Sequence, residues 1–341
     1  MAHDDPVPAG ATLRRLGDLR GLQVGAAIRA STLSDNGSYG AVAAREFNSI
    51  TPANEMKWAS VEPARGQFDW SGADATVAFA RAHDQAVRGH TLVWHRQLPA
   101  WLSGGGFTGP ELLQLMTEHV EIEAGRYAGE IVAWDVVNEP FNEDGTFRTS
   151  IFEQASNGPG YIATALHAAR RADPAARLYL NDYNIEGINA KSTAMLNLAT
   201  SLQRQGVPID GVGIQTHVIL GQVPPDFAAN VARFAAAGFE VCLTEIDVRI
   251  PLTAGEATPA QLAEQAADYA AIVEACLAVR GCVGVTVWGF TDLDSWIPRA
   301  FPGHGAADLL DESLGPKPAY FAVRRTLAAG GSMDGSRVTP D

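Results

Sequence analysis

The chain has 341 residues, 46% of them apolar, and a formal net charge of −14. That length suits one large domain with elaborated loops, and the apolar fraction is enough for a sizeable core. The charge argues against nucleic acid or an anionic membrane as partner, and no apolar run reaches the length of a membrane span.

Met1-Ala2-His3-Asp4-Asp5-Pro6 is polar and has no signal-peptide core. The protein therefore either stays inside the cell or has lost a leader. Residues 1–11 read as a tail, and Thr12 to Leu16 as a short helix before the first strand, on the lower face of the fold. From there, apolar β-branched runs alternate with amphipathic stretches. Strands are expected at 22–28, 47–51, 87–94, 131–137, 177–181, 211–216, 239–245 and 284–290. Helices are expected near 71–86, 110–126, 160–172, 190–205, 226–237, 259–279 and 318–329. Ser71 with Asp74 resembles a capping arrangement, and Thr258-Pro259 with Gln261 supplies an N-cap, a proline at N1 and an amide at N3. Gly330-Gly331 stops the last helix. Residues 330–341 read as a tail or linker.

Strand–helix alternation implies parallel strands, and eight units imply a closed (β/α)8 TIM barrel in a single domain. The competing architecture is an open doubly wound sheet. Three cysteines do not make a disulfide framework. Cys276 and Cys282 lie close together and could bridge, while Cys242 falls inside an apolar strand. No metal-ligand spacing and no phosphate-binding glycine loop occurs, so neither metal nor cofactor is expected.

Polar and aromatic residues collect where the strands end, which in this barrel type is where active sites are built. Strand 2 ends in Asn54, Glu55 and Lys57, and strand 3 in His90, Trp94, His95 and Gln97. Asn138 and Glu139 close strand 4, and Asn181, Asp182, Tyr183 and Asn184 close strand 5. Gln215 and His217 follow strand 6. Glu245 and Asp247 follow strand 7, and Trp288, Asp292 and Trp296 follow strand 8. Tryptophan faces stack on sugar rings, and Asn, Gln, Lys and His bond sugar hydroxyls. Glu139 and Glu245, each expected at a strand tip, supply the two carboxyl groups that glycosidic cleavage needs. Trp58 and Trp101 read equally well as core.

The runs Gly89-His90-Thr91-Leu92-Val93-Trp94-His95, Asp135-Val136-Val137-Asn138-Glu139-Pro140, Asn181-Asp182-Tyr183-Asn184 and Thr244-Glu245-Ile246-Asp247 resemble glycoside hydrolase family 10, the family of retaining endo-β-1,4-xylanases. Asp294-Ser295-Trp296 and Lys317-Pro318-Ala319-Tyr320 extend the resemblance, which spans about residues 12–329 as one catalytic barrel. It implies that Glu139 is the acid/base, Glu245 the nucleophile, and Asn138 the partner of the attacked sugar's 2-hydroxyl. His217 would support the nucleophile, and Asp247 would orient His217. His90, Lys57, Trp94 and Trp288 would hold the attacked sugar, and Asn54, Gln97 and Trp296 the next glycone sugar. Gln215 joins these substrate-binding residues, and Tyr183 and Asn184 fall on the leaving-group side. Cys276 and Cys282 match a disulfide of secreted members, which favours an extracellular protein whose signal has been removed.

The implied function is hydrolysis of internal bonds of xylan by a monomer that needs no cofactor and binds no nucleic acid or membrane. One residue departs from the pattern. Ala53 stands where the family commonly has a Glu that bonds hydroxyls of the second glycone sugar. That departure leaves another β-glycoside, such as an aryl glycoside, a mixed glucan or a saponin, as the alternative substrate. A carbohydrate-binding protein without catalysis is the alternative of a different class.

Overall fold

A computed structural model describes residues 7, 10–252 and 255–329. Eight parallel strands form the centre: β1 (Gln23–Ile28), β2 (Ser49–Pro52), β3 (Ala86–Trp94), β4 (Ile131–Asn138), β5 (Arg177–Asp182), β6 (Gly211–Ile214), β7 (Glu240–Pro251) and β8 (Cys282–Val287). Each pairs with the next, and β8 pairs with β1, with Gln23 opposite Gly284. The sheet is therefore a closed barrel, and the open doubly wound alternative does not hold. Helices Ser71–Ala82, Gly109–Arg126, Gly160–Ala172, Ala190–Arg204, Phe227–Ala236, Pro259–Leu277 and Pro318–Ala329 follow the strands they cover.

Helix ends follow local chemistry. Thr258 caps the helix that starts at Pro259, and the Gln261 side chain returns the bond to the Thr258 backbone. Ser71 does not cap its helix. It is the first helical residue, and its backbone and hydroxyl bond Asp69 instead. The Gly330-Gly331 stop lies outside the described residues. The helix before the first strand spans Leu13–Arg20 and is capped by Thr12.

The two faces of each strand separate two environments. Trp134, Leu178, Leu180, Val241 and Leu243 belong to the large core between barrel and helices. Their neighbours Ala133, Tyr179 and Cys242 form a separate small cluster in the barrel interior. Arg88 lies in that interior, with its guanidinium 4.3 Å over the Tyr179 ring and its Nε 3.2 Å from Asp135. Such a buried cation is tolerable because it is paired and stacked. Glycines make the room. A Cβ at Gly211 would lie 2.3 Å from the Tyr179 ring, and one at Gly213 would lie 2.2 Å from Asn181 Oδ1.

Two local expectations differ from the structure, and one segment had none. The segment 30–46 holds two helices, Ala30–Asp35 and Gly37–Glu46, in a glycine- and serine-containing stretch with weak periodicity. β6 stops at Ile214, and a separate short strand, His217–Ile219, resumes beside β7. β7 does not end at Glu245. It runs on to Pro251, with Val248 and Ile250 buried and with pairing to His217–Ile219 and to His304–Gly305.

Gly213→Ala should be destabilising by about 1–3 kcal/mol, because the added methyl overpacks a closed interior. Urea unfolding reads this directly. Activity should fall further than stability does, since Asn181 is the side chain that must move.

Candidate active site

The strand ends turn sharply where the polar residues sit. Gln97, Glu139, Asn184 and Thr216 all adopt left-handed backbone, with φ of 47°, 56°, 54° and 67°. Each such residue costs on the order of 1–3 kcal/mol and persists only where surrounding bonds over-determine it. At Glu139 the backbone N–H donates to Asn181 O at 2.7 Å, which holds the turn. Glu139 thus follows β4 directly, while Glu245 projects from within β7 and not from its tip. Its own N–H is fixed to Gln215 O at 2.9 Å.

One hydrogen-bonded network joins the two carboxylates. Asn181 Nδ2 donates to Glu245 Oε1 at 2.8 Å and to Asn138 Oδ1 at 2.9 Å. Thr244 Oγ1 donates to Asn181 Oδ1 at 2.7 Å, which fixes the amide's orientation. Gln215 Nε2 reaches Asn138 Oδ1 at 3.2 Å and Glu139 Oε1 at 3.3 Å. On the far side of Glu245, its Oε2 lies 3.1 Å from His217 Nε2, and His217 Nδ1 lies 2.8 Å from Asp247 Oδ2. Trp296 Nε1 donates to the same Asp247 oxygen at 2.8 Å.

The charges follow from these contacts. Burial works against the proton on His217, but Asp247 and Glu245 outweigh it and raise its pKa to about 10. His217 is therefore an imidazolium that donates from both ring nitrogens. Burial likewise opposes a charge on Glu245, yet the His217 hydrogen bond and the nearby His90 hold its carboxyl below the usual range. Burial lowers Lys57 to about 8 against the pull of Glu245 and Glu139. Lys57 Nζ sits over the rings of Trp94 and Trp288, at 4.9 and 5.7 Å, and donates to Asn54 Oδ1. Gln97 Nε2 donates to the same oxygen. His90 bonds Asp135 at 2.9 Å and meets Trp288 edge to face.

The leaving-group flank has its own lattice. Tyr183 Oη accepts from Arg148, whose Nε also donates to Glu139 O. Asn184 donates to Glu143. Lys191, buried beside them, bridges Asp182 at 3.0 Å and Glu143 at 3.1 Å and lies 3.4 Å over the Tyr183 ring. Burial pushes Asp182 up to about 7 despite Lys191.

The structure thus gathers Asn54, Lys57, His90, Trp94, Gln97, Asn138, Glu139, Tyr183, Asn184, Gln215, His217, Glu245, Asp247, Trp288 and Trp296 around one mouth. Trp58 and Trp101 are scaffold: Trp58 is buried and stacks on His119 at 3.8 Å, and Trp101 donates to Glu62 O. The sequence placed Asn181 at the rim and Asp135 within a motif without giving either a role, and it did not single out Arg148 or Lys191. Asn181 had a signal, since it lies two residues from Tyr179 on the same interior face of β5. Arg148 and Lys191 had none, because they reach the site from a loop and a helix.

Paired carboxylates in a barrel mouth lined by tryptophan and amide groups are the equipment of a glycosidase. The model of glycosyl hydrolase family 10 matches residues 12–326. The chain is 51% identical over 278 residues to an endo-1,4-beta-xylanase of Agaricus bisporus, covering 82% of each protein. It is 43% identical to endo-1,4-beta-xylanase B of Thermotoga neapolitana, over 87% of this chain and 85% of that protein. Its fold is similar to the crystal structure of xylanase 10B from Thermotoga petrophila in complex with xylobiose. That match has a TM-score of 0.91 and 40% identity, and covers 94% of this chain and 98% of that one. The chain belongs to glycosyl hydrolase family 10.

His217→Gln removes the cation beside Glu245, so the acid limb of the kcat/KM profile should move to higher pH. The ordinary His value of 6.5 becomes about 10 in the fold. The stability His217 contributes is therefore complete below pH 6.5 and lost as pH rises through about 10. Across that window the Tm of the native chain should fall more steeply than that of His217→Gln.

Proposed function

We propose that this protein is a retaining endo-β-1,4-xylanase that cuts internal bonds of xylan by double displacement. The observation that carries the reading is the division of labour between the two carboxylates. Glu245 is held ionised by His217 and Asn181, one on each oxygen. Such a carboxylate is a ready nucleophile for the anomeric carbon. Glu139 gives its proton to the leaving oxygen, and the bond from sugar to aglycone breaks as the bond to Glu245 forms. Water then enters where the leaving group was. Glu139 takes its proton, and the water oxygen displaces Glu245 with net retention.

Asn138 works on the ring. Its Oδ1 is occupied by Asn181 and Gln215, so its amide N–H2 is the end offered to the 2-hydroxyl. That bond strengthens as positive charge builds at the neighbouring carbon, which is the kind of interaction that accelerates the step. His90, Lys57, Trp94 and Trp288 hold the attacked sugar. Asn54, Gln97 and Trp296 hold the next glycone sugar, and Tyr183 and Asn184 the leaving side. The similarity to named xylanases and to a xylobiose complex supports the choice of substrate.

The same reading makes residues 12–329 the catalytic unit and the protein an extracellular monomer. Cys276 and Cys282 are joined at a Cα separation of 5.2 Å, and Cys242 is free and buried. Persistent disulfides of this kind belong to oxidising compartments. Among the described residues, no helix is long and apolar enough to cross a membrane.

Glu139→Ala should lower kcat/KM on xylan by about 10²–10⁴-fold. It should cost far less on an aryl β-xylobioside whose leaving group needs no proton. Glu245→Ala should lose on the order of 10⁴-fold or more on both substrates. Proton NMR of the first-formed product should show the β-anomer from the native chain; an α-anomer would overturn retention. Thiol titration of denatured, unreduced protein should find the single thiol of Cys242.

A further inference from the structure

The glycone side of the mouth contains a cavity two of whose side chains, Arg29 and Ala53, have no role in the mechanism above. Ala53, at the end of β2, lines it together with Arg29, Trp288, Asp294 and Trp296. Ala53 offers only a methyl group, which leaves open space and no hydrogen-bonding group on that wall. Arg29 and Asp294 enter the lining together as an ion pair. Arg29 Nη1 donates to Asp294 Oδ1 at 2.8 Å, its only hydrogen-bond partner among the described residues. Asp294 is itself steadied by Thr32 Oγ1 on its other oxygen. The guanidinium is thus anchored through one nitrogen, with two further N–H-bearing nitrogens uncommitted. Its side chain is 36% exposed. Lys57 places a second cation nearby, packed against the same Trp288 ring that walls the cavity.

We propose that this cavity receives a carboxylate-bearing side group, a hexuronic acid carried by the xylose of the second glycone position, and that Arg29 pairs with its carboxylate. The proposal rests on the xylanase reading and deepens it. Three requirements meet at one place. A branch on the sugar needs volume beside the main-chain binding groups, and a methyl at position 53 takes up less of it than a carboxylate side chain would. A uronate needs a donor with planar, paired N–H groups, and a guanidinium held by one end presents them. A sugar branch needs an aromatic wall for its apolar face, and Trp288 and Trp296 provide two. A larger acidic side chain in place of Ala53 would both fill the opening and repel the ligand. Arg29 therefore acts as a specificity-determining residue, and Ala53 as the gap that makes it reachable.

The test compares two substrates, an aryl β-xylobioside and the same compound with a glucuronosyl group on its distal xylose. The native chain should cleave the acidic compound with kcat/KM within about threefold of the neutral one or above it. Raising ionic strength should lower only the acidic value, as for a partly exposed charge pair. Arg29→Gln should lower the ratio of acidic to neutral kcat/KM by about tenfold, through KM more than kcat. Arg29→Lys should restore part of that ratio. Ala53→Glu should lower the ratio by at least as much, and it tests the cavity with Arg29 itself left in place should Arg29→Gln fail to fold. An unchanged ratio in both Arg29→Gln and Ala53→Glu would overturn the proposal. So would a native chain that hydrolyses the neutral compound and rejects the acidic one. If the native chain cleaves neither compound nor unbranched xylan, the xylanase reading itself fails, and the proposal falls with it.

Discussion

His217 stands between two carboxylates, 3.1 Å from Glu245 and 2.8 Å from Asp247, inside a barrel mouth that excludes most water. Buried ions are costly unless paired, and removing one partner of such a set leaves another charge stranded. The three groups therefore stand or fall together. A proton on His217 keeps Glu245 ionised, and Asp247 keeps the proton on His217. Trp296 ties Asp247 in turn, so an aromatic residue at the sugar-facing rim also fixes a fully buried acid. A change at the rim is in this way transmitted to the nucleophile through hydrogen bonds, with no movement of backbone required.

Asn181 performs the corresponding service between the two halves of the site. One amide nitrogen touches Glu245 on β7 and Asn138 on β4, while its oxygen is claimed by Thr244. It can occupy that position only because Gly213, on the neighbouring strand, has no side chain in the barrel interior. The interior below is polar by design of the sequence: Arg88, Asp135 and His90 form a connected set, and burial against the Asp135 charge is outweighed by Arg88 and His90. That set orients His90 from beneath, much as Asp247 orients His217 from the side.

Backbone strain completes the positioning. Four residues of the rim adopt left-handed φ values, and they cluster at the mouth from four different strand ends. A regular strand continuing through Glu139 would alternate its side chains between barrel interior and helix layer. The turn at Glu139 instead releases its carboxyl to the mouth, one residue after Asn138, so adjacent residues serve the same sugar.

Much of this was legible in the chain itself. Apolar runs alternating with amphipathic stretches specify eight strand–helix units, because a strand buried on both faces must be continuously apolar or small and its covering helix must not be. The Thr258-Pro259-Gln261 cap and the crowding of Trp, His, Asn and Glu at strand ends are likewise local facts. Tertiary structure decided the rest. β7 continues past Glu245 because His217–Ile219 and His304–Gly305 supply backbone partners from elsewhere in the chain, and pairing at that distance leaves no mark on a single strand. Ser71 fails as a cap because Asp69 competes for it. Arg148 and Lys191 enter the site from a loop and a helix, and the state of Asp182 depends on both burial and Lys191. The sequence by itself determined the barrel and the chemical kinds of its rim, since periodicity and residue type act over a few neighbours. Only the closed fold decided which groups share a proton and which shares a wall, because those are through-space interactions between residues tens to hundreds of positions apart.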